Sequence, residues 1–148
     1  MDCKILPVEP ITQIREIKQL LSACGLPVSD IASSESLLFF GCRSYAENVG
    51  VVGLELAGSA ALLRSLAVLP QYRNGCLGKA LVAHAESHAA SLGVQQLFLL
   101  TTTAEAYFSK LGYSVASRVD APLPIKATAQ FSGLCPASSI LMSKRLCR

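Results

Sequence analysis

The chain has 148 residues, six cysteines, a net charge of +3 and a mean hydropathy of +0.45. That length suits one domain, residues 1–148, and the small positive surplus does not call for nucleic acid as a partner, although a local basic cluster can hold an anionic small molecule. No apolar stretch approaches the ~20 residues of a bilayer span, because Arg64 interrupts the longest one, SAALLRSLAVLP, so no membrane partner is expected.

The opening MDCKILPVEP places Asp2 and Lys4 where a signal peptide would carry its apolar run, so none is expected. The cysteines (3, 24, 42, 76, 135, 147) contain no C-x-x-C pair. Without a secretory signal they read as free thiols in a cytoplasmic protein. The apolar excess predicts a packed two-layer core with an apolar face suited to a homodimer.

In chain order, KILPV (4–8) is a short apolar run. Ile11, Ile14, Ile17, Leu20, Leu21 and Cys24 then recur at helical spacing, with Gly25 and Pro27 as the stop. Residues 29–34 add a helical turn. SLLFFGCRS (36–44) reads as a strand, AEN (46–48) as a turn and VGVVGLELAG (49–58) as a second strand. Gly58-Ser59 is a two-residue hairpin turn with glycine first, as type II′ requires. AALLRSLAV (60–68) is the third strand, and a helix follows from the late seventies to Leu92, closed by Gly93. VQQLFLLT (94–101) is a strand. Thr102 and Glu105 have capping-box spacing before a short helix that ends at Gly112. YSVASRV (113–119) is a strand, APLPIKATAQFSGL (121–134) a Pro-started helix and SSILMSKRL (138–146) a last strand. This order predicts an α/β (α+β) fold: a mixed, mostly antiparallel sheet of six to seven strands flanked by about four helices.

The strand-to-helix turn QYRNGCLGKAL (71–81) contains two glycines, two cations and no acid. A helix start carries partial positive charge and unpaired N–H groups, and small residues let an anion approach them. Asn74 alone could cap the helix, and Arg73 and Lys79 add charge. Phosphate or pyrophosphate is the matching ligand, although neither G-x-G-x-x-G nor G-x-x-x-x-G-K-[ST] is present.

The stretch around this turn resembles the central signature of the GCN5-related N-acetyltransferase (GNAT) superfamily, V-x-P-x-x-R-x-x-G-x-G/A-x-x-L, at Val68, Pro70, Arg73, Gly78 and Leu81. TAEAYFSKLGY (103–113) is similar to the second signature, A-x-x-F-Y-x-x-x-G-F. The resemblance implies the GNAT fold and an acetyl-CoA-dependent N-acetyltransferase. It places the pyrophosphate on the turn, here Arg73, Asn74, Gly75, Cys76, Leu77, Gly78 and Lys79, and the pantetheine along Leu66, Ala67 and Val68. Thr101 and Phe108 fall on the same cofactor. Two positions depart from the pattern. Cys76 stands where the first glycine belongs, a substitution tolerated if its φ is negative. Phe108 stands where a tyrosine protonates the leaving thiolate. Tyr107, about 100° round the helix, is not expected to replace it, whereas a water or the hydroxyls of Thr101, Thr102 and Thr103 are candidates. Thr102 therefore has two readings, a catalytic hydroxyl or a helix cap.

Acyl transfer to an amine needs a base and donors for the developing oxyanion, the latter expected from strand amides near Leu66. A two-residue turn at Gly58-Ser59 sets Glu55 opposite Leu62 and Gly53 opposite Arg64. Glu55 and Arg64, the charged pair of two otherwise apolar strands, then share one face as diagonal neighbours. Glu55 is the candidate base, acting through water, and Arg64 with Ser65 the candidate site for an acid group on the acceptor. The other reading of the pair is a structural salt bridge. His84 and His88 lie four apart but do not form H-E-x-x-H, and no metal is expected. Cys135-Pro136 reads as a structural turn.

LLTTTAEAYFSKLGY and ATAQFSGLCPASSILM are similar to the ArsN-type acetyltransferases of arsenic-resistance operons and to the acetyltransferase domain of glutamate N-acetyltransferases. Both imply a small amino acid or analogue as acceptor, in the first case one containing arsenic or phosphorus. The alternatives are a peptide or protein N-acetyltransferase, or a non-enzymatic sensor that binds CoA or arsenite.

Overall fold

The computed structural model describes residues 7–26, 28, 37–45, 47–73, 76–134 and 138–146. The expected turn at 29–34, Asn74, Gly75 and Cys135-Pro136 lie outside these residues. The elements are β1 (Glu9–Pro10), α1 (Ile14–Ala23), β2 (Leu37–Ser44), β3 (Glu47–Ala57), β4 (Ala60–Val68), α2 (Leu77–Ser91), β5 (Gln96–Thr101), α3 (Glu105–Lys110), β6 (Ser114–Val115), α4 (Leu123–Lys126) and β7 (Ile140–Arg145). Short 3-10 and π-helical turns cover Pro70–Tyr72 and Gln130–Leu134. Among the described residues no helix is long and apolar enough to cross a membrane.

The strands form one sheet in the order β1-β2-β3-β4-β5-β7-β6. Every neighbouring pair is antiparallel except β4 and β5, which run parallel. The β3–β4 hairpin has the expected register, with Ala57 opposite Ala60, Glu55 opposite Leu62 and Gly53 opposite Arg64. Gly58 takes φ +67, the conformation a glycine-first turn needs.

Helices cover both faces of the sheet. Leu77, Leu81, Val82, Ala85 and Ala89 of α2 and Phe108 of α3 pack on Val52, Leu54, Leu63 and Leu97. On the opposite face α1 presents Ile17, Leu20 and Leu21 to Phe39, Val51 and Ala67, while Ile125 of α4 packs on Ala60, Leu62, Phe98 and Leu141. Arg64 lies on this second face, between the α1 and α4 clusters. Gly53 makes room for it: a Cβ there would meet the Phe39 ring at 2.9 Å and Arg64 Cγ at 3.2 Å.

Two features open the sheet at its centre. Parallel pairing of β4 with β5 is limited to Ala60–Leu62 with Gln96–Phe98. Beyond Leu62 the two strands diverge, which leaves the β5-facing edge of Leu63–Val68 without a strand partner among the described residues. A bulge then interrupts the β3–β4 register between Val51 and Gly53, and Ser65 on β4 adopts φ +57. The extra residue reverses the alternation of side chains: Leu62 and Arg64 face α4 and α1, but so does Ala67, and Leu66 turns to the α2 side. A left-handed serine is strained, and here its Oγ accepts a bond from Arg64 Nε at 3.0 Å. Ser65→Val is therefore expected to lower stability by about 1–3 kcal/mol and Ser65→Gly by less, as urea midpoints would show.

Three expected elements differ. The helix at 121–134 is broken, because Thr128 Oγ1 donates to Ile125 O (2.7 Å) and accepts from Phe131 N (3.3 Å), competing with the backbone ladder. The strand at 113–119 shrinks to Ser114–Val115. After Ala116 the chain bends away, and Arg118 donates to Ser139 O and Oγ at 3.0 and 3.3 Å. Of the turn expected at 46–48, Ala46 lies outside the described residues, while Glu47 and Asn48 already belong to β3 and Tyr45 before them takes φ +59.

Candidate active site

The divergence of β4 from β5 opens a cavity of about 570 Å3. Its walls include Leu63, Arg64, Ser65 and Leu66 of β4, Leu99–Thr101 of β5, the Thr102–Ala104 link, Tyr107 and Phe108 of α3, and Gln130 and Ser139. A second cavity, about 440 Å3, runs on beside Leu66, Ala67, Val68, Tyr72, Arg73 and Gly78. Leu26, Leu66, Ala104 and Tyr107 border both and form the neck between them. Leu26 is placed there by the end of α1: Gly25 at φ +75 lets Leu26 N–H reach back to Leu21 O at 2.9 Å, a Schellman turn.

The first cavity converges on buried polar groups. Arg64, Gln130 and Ser139 are each under a tenth exposed. Arg64 Nη1 donates to Glu55 Oε1 at 3.2 Å, with side chains 1% and 14% exposed respectively. Glu55 itself is not on the wall; it stands behind Arg64. Arg118 braces the far side, bonded to Ser139 and stacked 4.7 Å over the Phe131 ring. A cavity of this size with a few converging polar groups is what a small ligand requires.

The second cavity ends at the start of α2. Cys76 is the N-cap residue at φ −102, no side chain caps the helix, and no acid lies in its first turn. Among the described residues no side chain occupies the helix-start amides, and Cys76 has the negative φ expected of it. Arg73 lies on the cavity wall, where Nε donates to Val68 O at 2.7 Å and Nη2 contacts Cys24 Sγ at 3.7 Å. It ties the end of β4 to the end of α1. Leu77 is buried in the core and Lys79 is exposed. An open strand edge at Leu66–Val68 leading to an uncapped helix start fits an extended amide arm that ends in a diphosphate. Acetyl-CoA has that shape, and its thioester would supply the acyl group.

Several expectations change. Thr102 does not cap α3: the helix begins at Glu105 with Ala104 at its cap position, and Thr101 Oγ1 accepts from Ala104 N–H at 2.9 Å in the turn before it. Thr102 and Thr103 line the first cavity. The thiols are not uniformly free: Cys24 and Cys42 are, but Cys76 is disulfide-bonded, and separation along the chain carries no information about which cysteines a fold brings together. Burial pushes the Cys42 thiol pKa up. His84 and His88 flank the Phe40 ring at 4.8 and 5.0 Å.

Phe108 touches the cavity but is mainly a core residue, 8% exposed and edge-on to Tyr113. Tyr113 in turn donates to Glu86 of α2 at 2.9 Å, and Lys144 binds the same carboxylate at 3.1 Å, fixing α3 against α2 and β7. Burial, then the Glu86 charge, push the Tyr113 phenol pKa up. Tyr107, set aside on the sequence, is the α3 side chain at the neck. Ala104 and Tyr107 share one face at i, i+3 spacing, a signal that was available in the sequence. Gln130 and Ser139 could not be found that way, since the π-helical turn and the bend at Arg118 bring them in.

The family model for the acetyltransferase (GNAT) domain matches residues 35–115, more than half of the chain. The chain is 36% identical over 62 residues to the amino-acid acetyltransferase of Pasteurella multocida (strain Pm70), a match covering 42% of this chain and 14% of that protein. It thus spans a small part of the length of the curated relatives it matches. N-acetylglutamate synthase from Neisseria gonorrhoeae, crystallised with coenzyme A and N-acetyl-glutamate, superposes with a TM-score of 0.80 at 21% identity, over 99% of this chain and 36% of that one. The ribosomal-protein-S18-alanine N-acetyltransferase of Escherichia coli superposes with a TM-score of 0.73 at 17% identity, over 97% and 96% of the two chains. The chain shares its overall fold with these proteins, and it belongs to the acetyltransferase (GNAT) domain family.

Proposed function

We propose that this enzyme acetylates the amino group of a small amino acid or analogue that bears an additional acid group. The observation that carries the reading is Arg64, a buried guanidinium on the wall of the first cavity, converging there with Gln130 and Ser139. Guanidinium is the side chain suited to pair two oxygens of a carboxylate, phosphinate or arsonate at once. The relatives named amino-acid acetyltransferases, and the neighbour crystallised with N-acetyl-glutamate, support the same acceptor class. The likeness to ArsN-type enzymes extends it to amino acids containing arsenic or phosphorus, with detoxification as the role. Glu55 takes the ammonium proton through water. The neutral amine forms a C–N bond as the C–S bond breaks, and the proton the nitrogen then sheds passes through water to the CoA sulfur, which leaves as the thiol.

The test is CoA release from acetyl-CoA, read with a thiol reagent after the protein is removed, against amino acids, their phosphinate and arsenic analogues, and peptide N-termini. Turnover of one acidic amino acid or analogue well above that of neutral amino acids is the expected result. Turnover confined to peptides would overturn the reading.

A further inference from the structure

Tyr107 is unused by the family's pattern, yet it occupies the neck between the two cavities. Its hydroxyl lies against the start of α2: a Cβ built on Gly78 would fall 2.6 Å from it. Among the described residues that hydroxyl has no hydrogen-bond partner, and the ring's contact is edge-on with Phe108 at 5.2 Å. Gly78 is in the first turn of the helix whose uncapped amides receive the anion. Arg73 is committed to Val68 O and Cys24, and Lys79 is not on the wall of either cavity.

We infer that the Tyr107 hydroxyl donates a hydrogen bond to the diphosphate of the co-substrate, as a side-chain addition to the amides of the helix start. The phenol is half-buried, which pushes its pKa up, so it keeps its proton at neutral pH and remains a donor. Its position also accounts for Gly78: any side chain at that residue would displace the hydroxyl. Protonation of the leaving thiolate is a different role for the same hydroxyl. It would require the phenol to face the thiol end, between Leu63–Leu66 and Thr101–Ala104, whereas its contact is with Gly78.

The test uses the full chain without acceptor, so it is independent of which amine is acetylated. Calorimetry would give the Kd of CoA and of 3′-phosphoadenosine 5′-diphosphate, which keeps the diphosphate and lacks the pantetheine arm. Tyr107→Phe is expected to weaken both by the same factor, about tenfold, with an unchanged melting temperature for the unliganded protein. Gly78→Ala should weaken CoA binding more in the wild-type background than in Tyr107→Phe, since the two changes remove one contact. A loss on CoA alone would put the hydroxyl on the pantetheine arm and overturn the inference, as would no loss on either ligand.

Discussion

Arg64→Met is expected to destabilise the protein by about 3–5 kcal/mol and to raise the KM for the acceptor far more than the KM for acetyl-CoA. The first effect follows from burial. The Arg64 side chain is 1% exposed and Glu55 only 14%, so removing the guanidinium leaves a mostly buried carboxylate without its ion-pair partner. The second follows from position, because Arg64 is on the wall of the first cavity and Glu55 is not. A second substitution separates them. In Glu55→Leu/Arg64→Met no charge is left uncompensated, and stability should return to within about 1 kcal/mol of wild type or exceed it, while acceptor binding stays lost. Urea midpoints of the wild type, Arg64→Met, Glu55→Leu and the double variant give the coupling energy directly. If Arg64→Met matched the wild type in midpoint, the pair would be contributing nothing to the fold. If the double variant kept a normal acceptor KM, Arg64 would have no part in binding.

The pairing of Glu55 with Arg64 was legible in the sequence because a two-residue turn fixes a hairpin's register, and one glycine-first dipeptide located that turn. The strand-to-helix passage was legible for a similar reason: the end of β4 at Val68 and the start of α2 at Leu77 depend on local backbone chemistry. What stayed hidden depends on contacts made across the chain. Thr128 diverts the backbone of an otherwise regular helical pattern, and only the resulting π-helical turn puts Gln130 into the cavity. Ser139 reaches the same wall because Arg118, some twenty residues earlier, leaves its strand to hold it. The left-handed Ser65 carries no signal in LLRSLAV, since nothing in the residue types marks where alternation reverses. Tyr107 was lost to an alignment argument: the family's tyrosine position was followed to Phe108, which the fold uses mainly as core. The side chain that faces the neck was one residue earlier.

Glu55→Gln is the substitution expected to reduce turnover most cleanly, with kcat falling by about 10²–10⁴ and the acceptor KM nearly unchanged. Glutamine keeps the shape of the side chain and an oxygen to accept from Arg64 Nη1, now 3.2 Å from Glu55 Oε1, so the guanidinium stays in place for the acceptor. What is lost is basicity. As the proposed base, Glu55, which is outside the cavity wall, would receive the proton through water, and a neutral amide cannot serve as its destination. The deficit should therefore depend on pH. As pH rises through the acceptor's own ammonium pKa, the amine arrives already neutral and needs no base, so the ratio of wild-type to variant kcat/KM should shrink. A ratio that stays large and flat across that range would point to damage other than loss of a base. Full turnover in Glu55→Gln would leave the carboxylate with one role, that of holding Arg64 at the cavity wall.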